Sequence, residues 1–236
     1  MLKYKLKSLA RRVEIFKEFC VGLKSASVRG LVPALSQKTN NINTTCKVMD
    51  WARIFNCKLF FASSSSTQYD ESIENPYTLS KLQCHQILGL YRKLYQLDFV
   101  LMFFYNVYGP RQICSGDMAT VIGIFEDQYK RKKPLTVVKP GTQTRRFTHI
   151  DDTIKTCFEA WKNNRCLHYS ISNKKIYSIL EVAKFFKVKI KFLPKRAGER
   201  YASALTNLSY NNKVHKRYGK IQLKDYINSF IKRYKK

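Results

Sequence analysis

A tyrosine and a lysine four positions apart, Tyr77 and Lys81, follow an apolar run that ends in the four serines Ser63–Ser66. On a helix this spacing places the phenol and the ammonium on one face. A cation beside a phenol stabilises the phenolate, so we expect Lys81 to lower the pKa of Tyr77 from about 10 towards the range of a general base. A serine hydroxyl at the end of the strand could then bridge a substrate and the phenol.

The segments around these residues predict alternating helices and strands. Helical periodicity covers residues 41–55, 77–96, 118–132 and 151–163, and apolar runs of strand length cover residues 58–62, 99–105 and 135–138. This alternation is typical of a parallel sheet covered by helices. Such sheets bind ligands at the carboxyl ends of their strands, which is where the serines stand. The last third of the chain is more irregular and predicts a smaller lobe.

The charge of the chain is strongly positive, with 44 Lys and Arg against 16 Asp and Glu, a net charge of +28. Such a field attracts polyanions, anionic membranes or phosphorylated small molecules. The basic residues are spread along the chain without a recognised nucleic-acid motif, and a composition biased towards Lys and Asn produces the same statistics. We therefore do not expect a nucleic-acid partner.

The seven cysteines are widely spaced, without a CxxC pair or a histidine at zinc-ligand spacing. This pattern predicts free thiols in a reducing cytoplasm and no metal site. No apolar run approaches the roughly 20 residues that span a bilayer, so we expect no membrane partner.

Four motifs follow one another along the chain. They are "FASSSS" with "PYTLSK", "FYNVYGPRQ", "PLTVVKPGTQTRRFTHIDD" and, more faintly, "FLPKRAGERYASALTNLS". Through them the chain resembles the NAD-dependent epimerase/dehydratase family, the extended short-chain dehydrogenases that act on nucleotide sugars. Within that family it is most similar to UDP-glucose 4-epimerase and related nucleotide-sugar 4-epimerases.

The resemblance implies an α/β fold: a partial Rossmann-like, doubly wound parallel sheet with helices on both faces, plus a smaller C-terminal α/β substrate lobe. Residues 1–112, with part of 135–170, would form a truncated NAD-binding domain. Residues 113–134 and 171–236 would form the substrate-binding lobe.

The resemblance also implies an NAD-dependent enzyme that epimerises a UDP-hexose through a 4-keto intermediate. Tyr77 would be the base that takes the proton of the sugar hydroxyl while a hydride passes to nicotinamide. Lys81 would hold the nicotinamide ribose and lower the pKa of the phenol. Ser64 would hydrogen-bond the reacting oxygen, with Ser65 or Ser66 in that role if the alignment is one residue out.

The diphosphate of the substrate needs charged donors, for which the guanidinium fork is well suited. By resemblance, Asn106, Arg145 and Arg196 would contact the diphosphate. Glu199 would take the place of the acidic residue that binds the nucleotide ribose. Arg146 stands where members of the family commonly carry an acid.

Family members begin with a strand, a GxxGxxG turn and a helix that hold the NAD pyrophosphate. The 236 residues contain no such motif, so we do not expect tight NAD binding by this chain alone. Lys24 in "VGLKSASVRG" and Asn41 in "NNINTT" would line the cofactor and substrate cleft. A homodimer or a complementing N-terminal segment is the protein partner that follows from this reading.

Two other functions stay open at this point. The chain could be a catalytically inactive relative that binds a nucleotide sugar or a protein, or a basic nucleic-acid-binding protein. Within the family, the "SSST" segment lacks the acidic pair of the 4,6-dehydratase branch, which favours epimerisation over dehydration.

Overall fold

The computed structural model describes residues 31–68, 76–116, 119–163, 168–195 and 214–234. The helices in these ranges are α1 (Leu31–Ile54), α2 (Pro76–Tyr95), α3 (Val121–Lys130), α4 (Ile150–Asn163), α5 (Ile179–Phe185) and α6 (Leu223–Tyr234), with a 3-10 turn at Ser65–Gln68. The strands are β1 (Leu59–Ser64), β2 (Phe99–Phe104), β3 (Val107–Tyr108), β4 (Leu135–Val138), β5 (Thr144–Arg145), β6 (Thr148–His149), β7 (His168–Ser172), β8 (Tyr177–Ser178), β9 (Ile190–Leu193) and β10 (Val214–Tyr218). None of these helices is both long and apolar enough to cross a bilayer.

A parallel sheet of four strands, in the order β1, β2, β7, β10, forms the centre of the described part of the chain. β2 is buried along nearly its whole length because it has a paired strand on each side. In the register of the sheet, Ser64 at the end of β1 lies opposite Phe104 at the end of β2. Residues that follow these two strands therefore meet at the carboxyl edge of the sheet.

Helices cover both faces of this sheet. α1 and α2 pack on one face, where their apolar side chains join alternate residues of β1 and β2 in a large core. α4 covers the other face through a smaller core of Val100, Met102, Ala160 and Tyr169. A parallel sheet with helices on both faces is doubly wound, so the predicted α/β class is confirmed.

A smaller lobe surrounds the paired strands β4 and β9. Phe125, Phe186 and Phe230 join α3, the end of α5 and α6 through edge-to-face ring contacts. Tyr108 and Phe147, from segments between the sheet and the lobe, are buried in the same core. β4 thus pairs within the lobe, whereas β10 pairs with β7 of the main sheet. The domain boundaries expected from the sequence remain a prediction.

Candidate active site

Three side chains singled out in the sequence meet at the carboxyl end of β1. Pro76 opens α2, where its missing N–H costs no hydrogen bond, and Tyr77 follows it on the first turn. The phenol of Tyr77 is hydrogen-bonded to the side chain of Ser64. One helical turn later, the Lys81 ammonium lies 5.9 Å from the centre of the Tyr77 ring. The structure therefore brings Tyr77, Lys81 and Ser64 together, and their roles stay a prediction.

The protonation of Tyr77 differs from the expectation. Burial raises the pKa of the phenol above its ordinary value, and the hydrogen bond from Ser64 offsets only part of that effect. The Lys81 ammonium lies over the face of the ring and donates to the backbone carbonyl of Ala62 at 3.0 Å. The expectation that Lys81 lowers the pKa of Tyr77 is wrong for the protein by itself, because desolvation of the phenolate is the larger effect.

Lys81 is a buried cation, with only 4% of its surface exposed. Burial lowers the pKa of its ammonium to about 8. Its ammonium also lies 4.8 Å from the centre of the Phe61 ring, a cation–π contact. Within the described ranges no carboxylate lies within ion-pair distance of Lys81. An ammonium has three N–H donors, and the Ala62 carbonyl occupies one of them.

The serine run forms a hydroxyl network around the end of β1. Ser64 Oγ accepts hydrogen bonds from the backbone N–H of Ser66 at 3.2 Å and from its hydroxyl at 3.0 Å. Thr78, on the first turn of α2, donates to Ser66 Oγ at 3.1 Å. Ser65 lies half-buried at the start of the 3-10 turn. The turn thus fixes Ser64 between the strand and the helix that carries Tyr77.

A residue that the sequence reasoning missed stands directly behind this group. His85 Nε2 and Ser63 Oγ are hydrogen-bonded at 2.7 Å. His85 lies four residues after Lys81, so the spacing that singled out Tyr77 and Lys81 extends one more turn along the same face. That spacing was the available signal, but a histidine without a visible partner in the sequence gives no reason to follow it.

A second group follows the carboxyl end of β2. Asn106 has a left-handed backbone conformation (φ 37°), which asparagine tolerates better than most residues. Its side-chain amide donates to the Arg146 carbonyl at 2.9 Å. Arg145 is half-buried on β5, and its guanidinium donates to the Thr144 carbonyl at 2.8 Å. Asn106 thus contacts the backbone of the residue that follows Arg145, and the contact of both side chains with a diphosphate stays a prediction.

Arg146, at the position where an acid was expected from the resemblance, binds a loop. Its guanidinium donates to the carbonyls of Asn173 at 3.0 Å and Lys174 at 2.7 Å. Lys24, Arg196 and Glu199 lie outside the described residues. Among the described residues, no three His, Cys, Asp or Glu side chains cluster as metal ligands would.

Residues 29–173 match the family model described as "NAD dependent epimerase/dehydratase family". The chain belongs to this family. The family match contains β1, β2, α2 and the "QTRRF" segment with Arg145, and so it includes both groups of candidate site residues.

Similar proteins share this assignment. A protein of Methanocaldococcus jannaschii assigned as a UDP-glucose 4-epimerase is 33% identical over 138 residues, which are 52% of this chain and 45% of that protein. The UDP-glucuronic acid 4-epimerase of Bacillus cereus, solved with UDP-glucuronic acid and NAD, matches with a TM-score of 0.67 and 25% identity, over 84% of this chain and 68% of that one. The UDP-glucose 4-epimerase of Thermotoga maritima matches with a TM-score of 0.72 and 17% identity, over 86% of this chain and 71% of that one. This match shows the shared fold. The chain spans about half the length of the curated relatives it matches.

Proposed function

We propose that the protein takes part in NAD-dependent 4-epimerisation of a UDP-hexose through a 4-keto intermediate. The observation that carries this proposal is the hydrogen bond between Tyr77 and Ser64 at the carboxyl end of β1, with the Lys81 ammonium over the phenol ring. A phenol, a hydroxyl and a cation are the groups that proton transfer at a sugar hydroxyl requires. The names of the similar enzymes support a nucleotide-sugar substrate.

The donors at this site fit the nicotinamide ribose of NAD. Lys81 has N–H groups beyond the one that the Ala62 carbonyl occupies, and these would hold the ribose hydroxyls. NAD, when bound, accepts a hydride from the sugar and returns it. In our proposal Lys24 and residues outside the described ranges, a complementing N-terminal segment or a second copy supply the contacts to the pyrophosphate.

The protein's own part in the reaction is to move one proton and to hold the sugar. Tyr77 accepts the proton of the C4 hydroxyl as the 4-keto sugar forms, and Ser64 donates to the same oxygen, with Ser65 next to it. The 4-keto sugar rotates within the site so that its other face is presented. Tyr77 returns the proton when the carbonyl is reduced on that face. The pKa of the phenol is raised in the protein alone, so its function as a base requires that bound substrate and cofactor lower that pKa.

The nucleoside diphosphate would be held by the second group of residues. Asn106, after the carboxyl end of β2, is hydrogen-bonded to the backbone of the segment that carries Arg145, and both would bind the diphosphate together with Arg196. Glu199 would bind the nucleotide ribose. The free thiols of five described cysteines support a reducing, cytoplasmic setting for this reaction.

The test is turnover of UDP-glucose by the purified chain with NAD, followed by the appearance of UDP-galactose. Tyr77→Phe should lower the rate by about 10²- to 10⁴-fold, the usual contribution of a positioned acid or base. Tyr95→Phe is the matched control, because Tyr95 is an exposed phenol on the same helix and should leave the rate unchanged. Measurable turnover by the unmodified protein that Tyr77→Phe leaves unchanged would contradict the proposal.

A catalytically inactive relative is the second candidate, and the raised pKa of Tyr77 favours it. This function predicts that UDP-glucose binds, as measured by calorimetry, without turnover at any NAD concentration. Arg145→Ala should weaken the binding, whereas Arg131→Ala, which removes an exposed arginine of the lobe paired with Asp127, should leave it unchanged. Turnover that depends on Tyr77 would exclude this candidate.

A further inference from the structure

His85 is tied to the end of β1 from the helix that carries Tyr77 and Lys81. Its Nε2 lies 2.7 Å from Ser63 Oγ, and its ring packs edge-on against Phe61 at 5.8 Å. A second edge contact, also at 5.8 Å, is made with Phe103 of β2. Ser63 is the residue directly before Ser64 on β1, so the imidazole holds the strand that presents Ser64 to the phenol.

His85 also contributes an uncharged side chain to the surroundings of Lys81. Among the described residues, the titratable groups that face Lys81 are Tyr77, Cys84 and His85 of its own helix, and His168 of β7 lies beyond His85. None of these groups is a carboxylate. Burial, reinforced by the charge of Lys81, lowers the pKa of His85 to about 3, so the imidazole is neutral at physiological pH. Lys81 therefore stands beside an uncharged neighbour and has no ionic partner within the described ranges.

We propose that His85 is a positioning residue for the candidate active site: its hydrogen bond with Ser63 fixes the β1 end that presents Ser64, and it places an uncharged side chain beside Lys81. This role rests on the proposed function, in which the Lys81 donors that the described residues leave unused bind a ribose. A carboxylate at position 85 would instead pair with Lys81 and raise the pKa of its ammonium. The imidazole thus fixes the strand end without adding a charge beside Lys81.

The experiment measures the titration of Lys81 by NMR of the full chain carrying ¹³C at lysine Cε, with the signal assigned by Lys81→Arg. In the unmodified protein the Lys81 signal should titrate with a midpoint at about 8, below the ordinary value of lysine. His85→Glu should raise the midpoint by about one unit or more, as an opposite charge at this range does. His85→Gln, an uncharged residue that can still bond Ser63, should keep the midpoint of the unmodified protein.

Gln86→Glu is the matched control, since it adds the same charge at the next position, where the side chain is exposed. It should leave the Lys81 midpoint unchanged. The proposal is overturned if His85→Glu fails to move the midpoint, or if Gln86→Glu moves it as far. Where turnover is measurable, the alkaline limb of its pH profile should shift with the midpoint in His85→Glu. The titration needs neither cofactor nor substrate. A shifted Lys81 midpoint in His85→Glu, together with no turnover by the unmodified protein, would therefore contradict the proposed function and leave the role of His85 intact.

The hydrogen bond between Ser63 and His85 has a separate test. Ser63→Ala and His85→Leu both remove the Ser63–His85 hydrogen bond, and each also removes a separate contact, with Thr67 and with the Phe61 and Phe103 rings respectively. The double variant should therefore lose less melting temperature than the sum of the two single variants. Additive losses would show that the two side chains act independently and would overturn this part of the proposal.

Discussion

Two clusters of buried ionisable groups, one at the end of β1 and one in the lobe, differ in how fully their hydrogen bonds are satisfied. In the lobe, Glu126 accepts from Gln112 at 3.0 Å and from the Tyr226 hydroxyl at 2.7 Å, one donor for each carboxylate oxygen. At the end of β1, Lys81 makes one hydrogen bond among the described residues and Tyr77 is only half-buried. Burial shifts the pKa in both clusters. The pKa shift alone therefore does not mark a functional site, and the clusters differ instead in the Lys81 donors that the described residues leave unused.

The largest expected effect tests the electrostatic cost of the β1 cluster. The pKa of His85 is about 3 in the folded protein and about 6.5 when unfolded, so the unfolded chain binds the proton first as pH falls. Stability should therefore fall between pH 6.5 and 3, by up to about 5 kcal/mol. Urea unfolding across this range checks the effect. His85→Gln should lose this slope and keep the slope caused by carboxylates, and equal slopes in both proteins would contradict the assignment.

Lys81→Met tests how much the burial of the Lys81 ammonium lowers the free energy of unfolding. The ammonium has a pKa of about 8 when folded against about 10.5 when unfolded, so folding disfavours the charged form at neutral pH. We expect the variant to gain about 3 kcal/mol of unfolding free energy at pH 7, a gain that shrinks as pH rises from 8 to 10.5. Denaturant unfolding at several pH values measures it, with Lys93→Met, an exposed lysine of the same helix, as the control. A variant that is less stable at every pH would contradict the prediction.

The two clusters respond differently to the loss of a phenol hydroxyl. Tyr226→Phe leaves one oxygen of the buried Glu126 without its donor and should cost about 1 to 2 kcal/mol of stability. The turnover of the folded fraction should not change, because the Tyr226 hydroxyl bonds Glu126 and none of the candidate site residues. Tyr77→Phe should show the reverse pattern, with a small change in stability and a large change in turnover. Thermal unfolding measures the stability of both variants, and rate measurements give their turnover. Equal losses of stability and of turnover in the two variants would contradict the distinction between the clusters.

The sequence was sufficient to predict features that depend on local spacing. Tyr77 and Lys81 share a helical face because they are four residues apart, and Ser64 ends a strand because an apolar run stops there. The direction of the pKa shift of Tyr77 was not predictable, since it depends on how far the folded protein withdraws the phenol from water. The Ser63–His85 bond joins residues 22 positions apart and leaves no local pattern. The loop contacts of Arg146 were missed for the same reason.

The smallest expected effect lies at the end of α3, the helix that also carries Glu126. Lys132 has a left-handed conformation (φ 54°). Its backbone N–H donates to the Tyr129 carbonyl, and the backbone N–H of Lys133 donates to the Gln128 carbonyl. These two bonds form a Schellman motif, in which glycine is favoured at the left-handed position. Lys132→Gly should therefore raise stability by about 0.5 to 1 kcal/mol without changing turnover or ligand binding. Lys133→Gly, one residue later and without a positive φ, should lower the melting temperature slightly, and an equal response of both variants would show that backbone strain at Lys132 is not the cause.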